Sequence, residues 1–419
     1  MEISTEVLVC GAGSAGLSAA LACARQGVET MVIERAGFAG GIITSVGLPY
    51  FDGIVEKSSR RIVVRGIPLE LLVRSGICAP GDQFLASHEP STANIEAFKL
   101  LADRLLQAET PNLRTLFHAV ACDVELRGDR ISAVRVACKQ GLVSIKPKVV
   151  IDCTGDGDVA FWSGAPVVKT RPLQPMTLHF RIGNVRPCAD LAQLAQDEAL
   201  AAHRAGDLAY FYGPGIMFMF AHNEAYIHAV RVPGDASDAW DLTRAEMQGR
   251  ADAWTLFERW KKHVPGFEDS YFVTSGPSIG VRETRRIVGQ HVLSEGDIRE
   301  GRSFADAIAT GCWYLDVHPH EVTLGSAHRI KGFQPDPYDI PYRSLLPQKV
   351  ANLLVAGRCH SASQMAASST RVTVTAMALG QAAGTAAAMA IQGKRMPSEV
   401  PGTEVRSVLD AQGAGPFTQ

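Results

Sequence analysis

Apolar and polar positions along this chain follow two rhythms, and the first change between them comes within thirty residues. Residues 7–10 are a short apolar run closed by Gly11-Ala12-Gly13-Ser14-Ala15-Gly16, after which Leu17, Ala20, Leu21 and Ala24 recur at helical spacing. Gly27 stops that helix, and residues 28–33 form a second apolar run ending in Glu34. The pattern predicts strand, glycine turn, helix and strand in that order. From residue 91 it clears again: Ile95, Phe98, Leu101, Ala102, Leu105 and Leu106 share one helical face that ends near Glu109, ahead of Pro111. Strands are predicted at 113–118, 121–127 and 130–137, with Gly128-Asp129 as a hairpin turn. A short strand at 142–145 and a separate buried one at 148–153 follow, the latter closed by Thr154-Gly155-Asp156-Gly157-Asp158. A parallel strand that returns after an antiparallel meander implies a nucleotide domain in which a β-sheet crossover replaces one helix.

Between 165 and about 276 the composition becomes more aromatic. Strands are expected at 176–182, 217–220 and 226–232, with a helix at 189–205. Thr243 with Glu246 reads as a capping box for a helix running to about His263, its buried side carrying Met247, Trp254, Phe257 and Trp260. Residues 351–356 are the last buried strand, ending in Gly357-Arg358, and a long helix of small residues spans about 370–391. The expected fold class is α/β, a Rossmann-like domain with a β-meander crossover plus an inserted mixed α/β substrate (cap) domain. The first is assembled from 1–50, 88–168 and 335–419, and the cap from 51–87 and 169–334.

Each glycine of the opening turn has its own mechanical reason. Gly11 allows the tight turn, Gly13 lets the backbone approach a pyrophosphate, and Gly16 lets helix and strand pack closely. The helix start then offers free N–H groups and a positive dipole to phosphates. Glu34, 18 positions after Gly16, sits where a carboxylate accepts hydrogen bonds from an adenosine ribose and repels a 2′-phosphate. Gly37, Gly40, Gly41 and Gly47 crowd the next stretch, as expected where backbone passes close to an extended ligand.

Composition narrows the partners. With 46% hydrophobic and 20% charged residues and a formal charge of −2, the chain is globular, and its basic residues form no stripe for nucleic acid. Nine scattered cysteines show no CxxC spacing, which removes the usual sign of an iron–sulfur cluster, a zinc site or a redox dithiol. The first strand begins so close to Met1 that no secretory signal is readable, and a reducing cytoplasm is the expected location. The apolar segment 376–391 is short, rich in Ala and Gly and carries Gln381, so a packed internal helix is expected there and no membrane span.

Four blocks together resemble the FAD-dependent oxidoreductase family of the two-dinucleotide-binding-domain flavoproteins. They are VLVCGAGSAGLSAALACARQGVETMVIER with the AGG that follows; VVIDCTGDGDVAFWSGAP; GVRETRRIVGQHVLSEGDI; and IPYRSLLP with NLLVAGRCHSASQMAASSTRVTVTAMALGQAAGTAAAMA. The chain is distantly similar to the flavin part of heterodisulfide reductase and to glycine-oxidase-type enzymes. The resemblance implies FAD, with its ribose on Glu34 and Arg35 and its pyrophosphate on the turn from Gly11 through Ser14 and Ala15 to Gly16. It further implies that Gly40 and Gly41 lie along the phosphate and ribityl path, that Ala121 touches adenine, and that Thr154 and Gly155 close over the cofactor. Gly357 and Arg358 would flank the ribityl chain, and the helix opening at Arg371 and Val372 would face the flavin pyrimidine. No second glycine fingerprint for NAD(P)H is present, so electrons are expected to enter from the organic substrate.

Oxidising a C–H bond on a flavin needs that carbon near N5 and a base or an electrostatic anchor. His318 and His320, in Asp316-Val317-His318-Pro319-His320-Glu321, are base candidates, with a structural or solvated role as the alternative; a metal there lacks a third partner. Arg282, beside Glu283, Arg285 and Arg286, is either a carboxylate clamp or part of an ion-paired brace, and Arg343 is a comparable candidate. His360 lies where the last strand ends, and its neighbour Cys359 is expected to be inert. The expected activity is oxidation of a small organic molecule by hydride transfer to flavin N5, with oxygen, a quinone or a protein carrier as acceptor. The alternatives are a flavin monooxygenase and a flavin-binding electron-transfer component of a larger complex.

Overall fold

The computed structural model describes residues 2–58, 61–78, 94–211, 215–318 and 332–416. Its central sheet begins with β1 (Glu2–Cys10), followed by helix α1 (Ser14–Arg25) and β2 (Thr30–Glu34). Then come β3 (Leu113–Phe117), β4 (Val120–Arg127), β5 (Arg130–Cys138) and β6 (Gly141–Asp152). The strand order is β3-β2-β1-β6-β5-β4, with Leu353–Val355 paired to β6 as well. β3, β2, β1, the far half of β6 and Leu353–Val355 are all parallel, whereas β4, β5 and the near half of β6 form an antiparallel meander. The crossover expected from the sequence is therefore present.

The strands expected at 142–145 and 148–153 prove to be one continuous strand. Lys146-Pro147 lies between them, and a residue ahead of proline is held extended, so the chain runs straight from the meander into the parallel sheet. The late small-residue helix forms as expected, over Thr373–Gly393, and a short helix, Gln364–Thr370, precedes it, separated from it by Arg371 and an extended Val372. The run Ser368-Ser369-Thr370 and β-branched Val372 and Thr373 favour caps over helix interior, and the break follows from that chemistry. Thr373–Gly393 is long and apolar enough to cross a membrane, but 83% of its apolar window is buried in the protein. Against α1 it packs backbone on backbone: a Cβ at Gly380 would collide with the Ala15 carbonyl, and one at Gly384 with the Ala19 carbonyl.

The second core lies in the cap. Tyr271–Ser275, Met176–Gly183, Glu224–Val232 and Ile216–Phe220 form a four-stranded antiparallel sheet in that order. Helices Leu191–Ala205 and Ala239–His263 pack against it through Ala195, Leu256, Trp260 and their neighbours. The capping box expected at Thr243 and Glu246 does not form. Asp238 caps the helix one turn earlier by accepting from the Trp240 and Asp241 N–H groups, while Glu246 accepts from Ile279 N. Trp260 is fully buried, but Met247 and Trp254, also expected inside, are exposed.

The cap boundaries expected from sequence are too wide. Ile67, Leu71, Leu72, Leu293, Ala307 and Leu315 belong to the large core around α1 and Thr373–Gly393, so most of 61–78 and 293–315 packs with the nucleotide domain. Short strands Ala307–Gly311 and Tyr338–Pro341 pair there as well.

Candidate functional site

The glycine turn is built by contact. Gly11 has φ +98, and a Cβ there would come within 2.5 Å of the Cys153 carbonyl, so Thr154 and Gly155 are drawn beside the turn. Gly41 faces Gly13 so closely that a Cβ on Gly41 would lie 2.7 Å from the Gly13 Cα, and Gly40 N donates to Ala12 O. Glu34 anchors the far side: its two carboxylate oxygens accept from Ala12 N at 2.8 Å and Ala36 N at 2.9 Å. Arg35 is exposed beside it, and Ala121 lies on β4, whose approach is tied to β2 by the Ala119 N to Glu34 O bond. Behind the turn, the buried Asp152 accepts from Thr154 and from Ala160 N; burial pushes its carboxyl up to about 6. Arg358 donates to Asp156 and sits over Gly155, with Gly357 (φ +94) packed on Ala15.

At the other end a buried polar cluster joins the cap to the helix break. Tyr226 and His179 Nδ1 are 2.5 Å apart, and the His179 and His228 rings lie 4.5 Å centre to centre. Arg282 donates to His228 Nε2 at 2.9 Å, to Pro175 O and to the Thr177 hydroxyl. Arg231 donates to His318 Nδ1 at 2.6 Å, which leaves the proton of the neutral ring on Nε2, 3.1 Å from Asp316. Arg371, at the helix break, donates to the Asp316 backbone carbonyl and carboxylate. Tyr50 meets Tyr226 edge to face, and Gly53 lies under Val372, so the loop after the phosphate path borders both parts.

Charge and burial fix protonation. Desolvation, reinforced by the Arg282 and Arg231 charges, holds His179, His228 and His318 well below the ordinary imidazole range. Tyr226 is raised by burial and stays a phenol. Burial works to raise the Asp316 carboxyl, but the His318 hydrogen bond and charge and the Arg371 and Arg282 charges outweigh it and hold the group well below the usual range.

The sequence profile described as FAD dependent oxidoreductase matches residues 6–409. The chain belongs to the FAD dependent oxidoreductase family. Dihydrolipoyl dehydrogenase of Haemophilus influenzae is 52% identical over 46 residues, 11% of this chain and 10% of that protein. Thiamine thiazole synthase of Methanococcus vannielii is 29% identical over 161 residues, 36% of this chain and 57% of that one. The chain thus spans between a tenth and little more than half of the length of these curated relatives. Among solved structures, a geranylgeranyl bacteriochlorophyll reductase-like protein from Thermoplasma acidophilum aligns over 99% of this chain and 85% of its own, with TM-score 0.49 and 13% identity. A flavin-dependent brominase aligns over 96% and 83%, with TM-score 0.49 and 12% identity.

FAD is the cofactor of this family, and the residues fit it. The first turn of α1 has no side-chain cap, and the Gly13–Gly41 approach leaves bare backbone along the pyrophosphate path. Thr373–Gly393 likewise starts without a side-chain cap, and beside it Arg371 Nε and Trp313 Nε1 are buried donors with no hydrogen-bond partner among the described residues. Such donors suit the oxygen- and nitrogen-rich pyrimidine edge of a flavin.

Of the expected catalytic residues, Arg282 and His318 join the cluster, and His320 lies outside the described residues. His318 is no free base, because Arg231 occupies its Nδ1 lone pair and its Nε2 faces Asp316. Arg343 does not reach the cluster; its half-exposed guanidinium pairs at 2.9 Å with Asp306, which precedes Ala307–Gly311, the strand paired with the one Arg343 follows. In the arginine block, Glu283 and Arg286 form a buried pair and Arg285 binds Asp158, so only Arg282 faces the site. His360 is buried on Thr370 and lowered to about 3 by burial, and burial raises the Cys359 thiol well above its usual range. The sequence reading missed Tyr226, His179, His228 and Arg231. Tyr226 and His228, two apart in the strand Glu224–Val232, were the available signal, since that spacing puts them on one face. Among the described residues no group of three or more His, Cys, Asp or Glu side chains is placed to hold a metal.

Proposed function

We propose that this protein oxidises a small organic molecule at the buried cluster, with Tyr226 and His179 as the acid–base pair. Bound FAD would supply the acceptor for the hydride, and with it the two electrons, of the substrate C–H bond. The chain's own task is the accompanying proton. It passes from the substrate heteroatom to Tyr226 Oη as the phenolic proton moves to His179 Nδ1 across their 2.5 Å contact. Both groups begin neutral, so no buried charge has to be created before substrate arrives. Arg282 holds His228 against His179, and Arg231 with Asp316 holds His318, which makes His318 a positioning residue. The observation that carries this reading is the Tyr226–His179 hydrogen bond inside a cluster tethered to the helix break by Arg371 and Asp316.

Electrons would leave to oxygen, a quinone or a protein carrier, and the nine free thiols suit a reducing cytoplasm. Anaerobic titration of the FAD-loaded protein against amines, hydroxy acids, sugars and alcohols tests the proposal. One class should bleach the flavin with no nicotinamide present. Bleaching by NADH or NADPH alone, with every organic donor silent, would overturn it in favour of a monooxygenase.

A further inference from the structure

The cap helix Ala239–His263 buries one side on the cap sheet, and its opposite side carries an apolar stripe, of which Trp254 leans on Phe257 and Phe272. Trp240 is 85% exposed, Met247 64% and Trp254 50%. They are seven residues apart, and two helical turns bring each almost back to the same direction, so all three share one face. Such a row is unusual on a monomer surface and marks a contact site. Between Trp240, Arg244, Met247 and Ala251 lies a shallow depression of about 490 Å³.

We infer that this face binds a second copy of the same chain, helix against antiparallel helix, about a two-fold axis at Ala251. The pattern of the stripe is self-complementary about that point. Ala251, the small residue at the centre, meets itself and lets the two helices approach. Met247 lies four residues before it and Trp254 three after, so each Met247 meets the Trp254 of the other copy, a favourable sulfur–aromatic contact. Arg244, whose guanidinium also holds Asp241 and the Pro233 carbonyl within its own chain, and Glu258 are each seven residues from the centre, which sets opposite charges across the axis. Trp240 and Lys262 are each eleven away, which brings a lysine ammonium over an indole at both ends. Glu258 and Lys262 are exposed and make no ion pair among the described residues, so both can turn to the partner. Centring the contact on Met247 instead would set Arg244 against Arg250, and like charges there disfavour that register.

Sedimentation of the FAD-loaded protein over a concentration series tests the inference, with circular dichroism and flavin content confirming that each variant folds. The native chain should sediment as a dimer and Met247→Glu as a monomer. Arg244→Glu and Glu258→Arg should each weaken association by about tenfold or more, and an equimolar mixture of the two should regain it as a heterodimer. The inference is overturned by a native protein that stays monomeric throughout, including one that binds lipid vesicles instead. It is equally overturned by a dimer that survives Met247→Glu combined with Trp254→Glu, or by singly changed chains that fail to associate when mixed.

Discussion

The nucleotide domain and the cap solve packing in opposite ways. Around α1 and Thr373–Gly393 the protein removes side chains, and Gly16, Gly380 and Gly384 let backbone lie on backbone beside the cofactor groove. In the cap it adds them, and Phe180, Trp260 and Phe267 fill the space between sheet and helices. The same contrast governs polar groups. The nucleotide domain lines its groove chiefly with backbone and one carboxylate, Glu34, bound to backbone N–H groups, whereas the cap cluster buries three imidazoles and the Arg231 guanidinium, with Arg282 partly buried beside them. A binding site made of backbone is tolerant of pH; one made of buried titratable side chains is not.

The largest expected effect follows from that difference. An imidazole that stays neutral in the fold but titrates near pH 6.5 when unfolded costs nothing above that pH and about 1.4 kcal/mol per pH unit below it. His179, His228 and His318 all stand in this position, since each is held well below the ordinary range. In the nucleotide domain, His360, lowered to about 3, adds a fourth such cost, but Asp152, raised to about 6, takes up a proton in the fold below pH 6 and offsets it. Asp316 contributes in the opposite window: its stabilisation is present above the ordinary carboxylate range and is lost as pH falls beneath it. Asp158, Asp252 and Asp339, raised by burial, oppose the cap histidines in part, so stability should fall below pH 6.5 by at most about 4 kcal/mol per pH unit. Denaturant midpoints at a series of pH values measure the slope, and amide exchange shows where opening begins. A slope below one proton, or β1 and β6 losing protection before Glu224–Val232, would break the comparison.

A smaller effect is expected from the cluster's chemistry. Tyr226→Phe removes the hydroxyl that meets His179 while the glycine turn and helix break stay intact. FAD occupancy should be unchanged, and the rate of anaerobic flavin reduction should fall by about two orders of magnitude or more. Loss of FAD from this variant would show that the two regions are not separable, and an unchanged rate would remove Tyr226 from the chemistry.

The two regions also differ in how much of them could be read from the chain. The glycine turn, Glu34 and the meander were legible because their signals are local: a fixed glycine spacing, an acid at the end of the next strand, a Gly-Asp hairpin. The cluster was not, because its members come from four distant segments and meet only through strand register, such as Tyr226 opposite Arg181. Arg282 and His318 could be picked out as residue types, but nothing in the sequence says that Arg231 occupies the imidazole lone pair. Arg343 shows the reverse error, since an arginine in a familiar block was free to spend its charge on Asp306. The cap boundaries failed for a related reason: apolar runs at 61–78 and 293–315 declare that they are buried but not in which core.

The smallest expected effect separates the two packing modes directly, through the same substitution in two helices. Replacing a helical glycine by alanine favours the helix by about 1 kcal/mol wherever the new methyl finds room. At Gly380 it finds none, because the methyl would collide with the Ala15 backbone carbonyl, and backbone beside the cofactor groove cannot turn aside as a side chain can. Overpacking of that kind costs about 1–3 kcal/mol, which outweighs the helix gain, so Gly380→Ala should be destabilised by about 1 kcal/mol net, with weakened FAD retention as α1 is pushed off the sheet. At Gly249, on the cap helix, the methyl would lie 3.3 Å from Leu178 Cβ and 3.4 Å from Ile279 Cδ1. Those are side chains at the edge of ordinary contact, and a shift of a few tenths of an ångström accommodates the methyl, so Gly249→Ala should be neutral or stabilised by up to about 1 kcal/mol. Urea unfolding of both variants against the native chain gives the two values. Equal costs at the two positions would mean that the cap is packed as tightly as the nucleotide domain, and the distinction between a backbone-built and a side-chain-built half would fail.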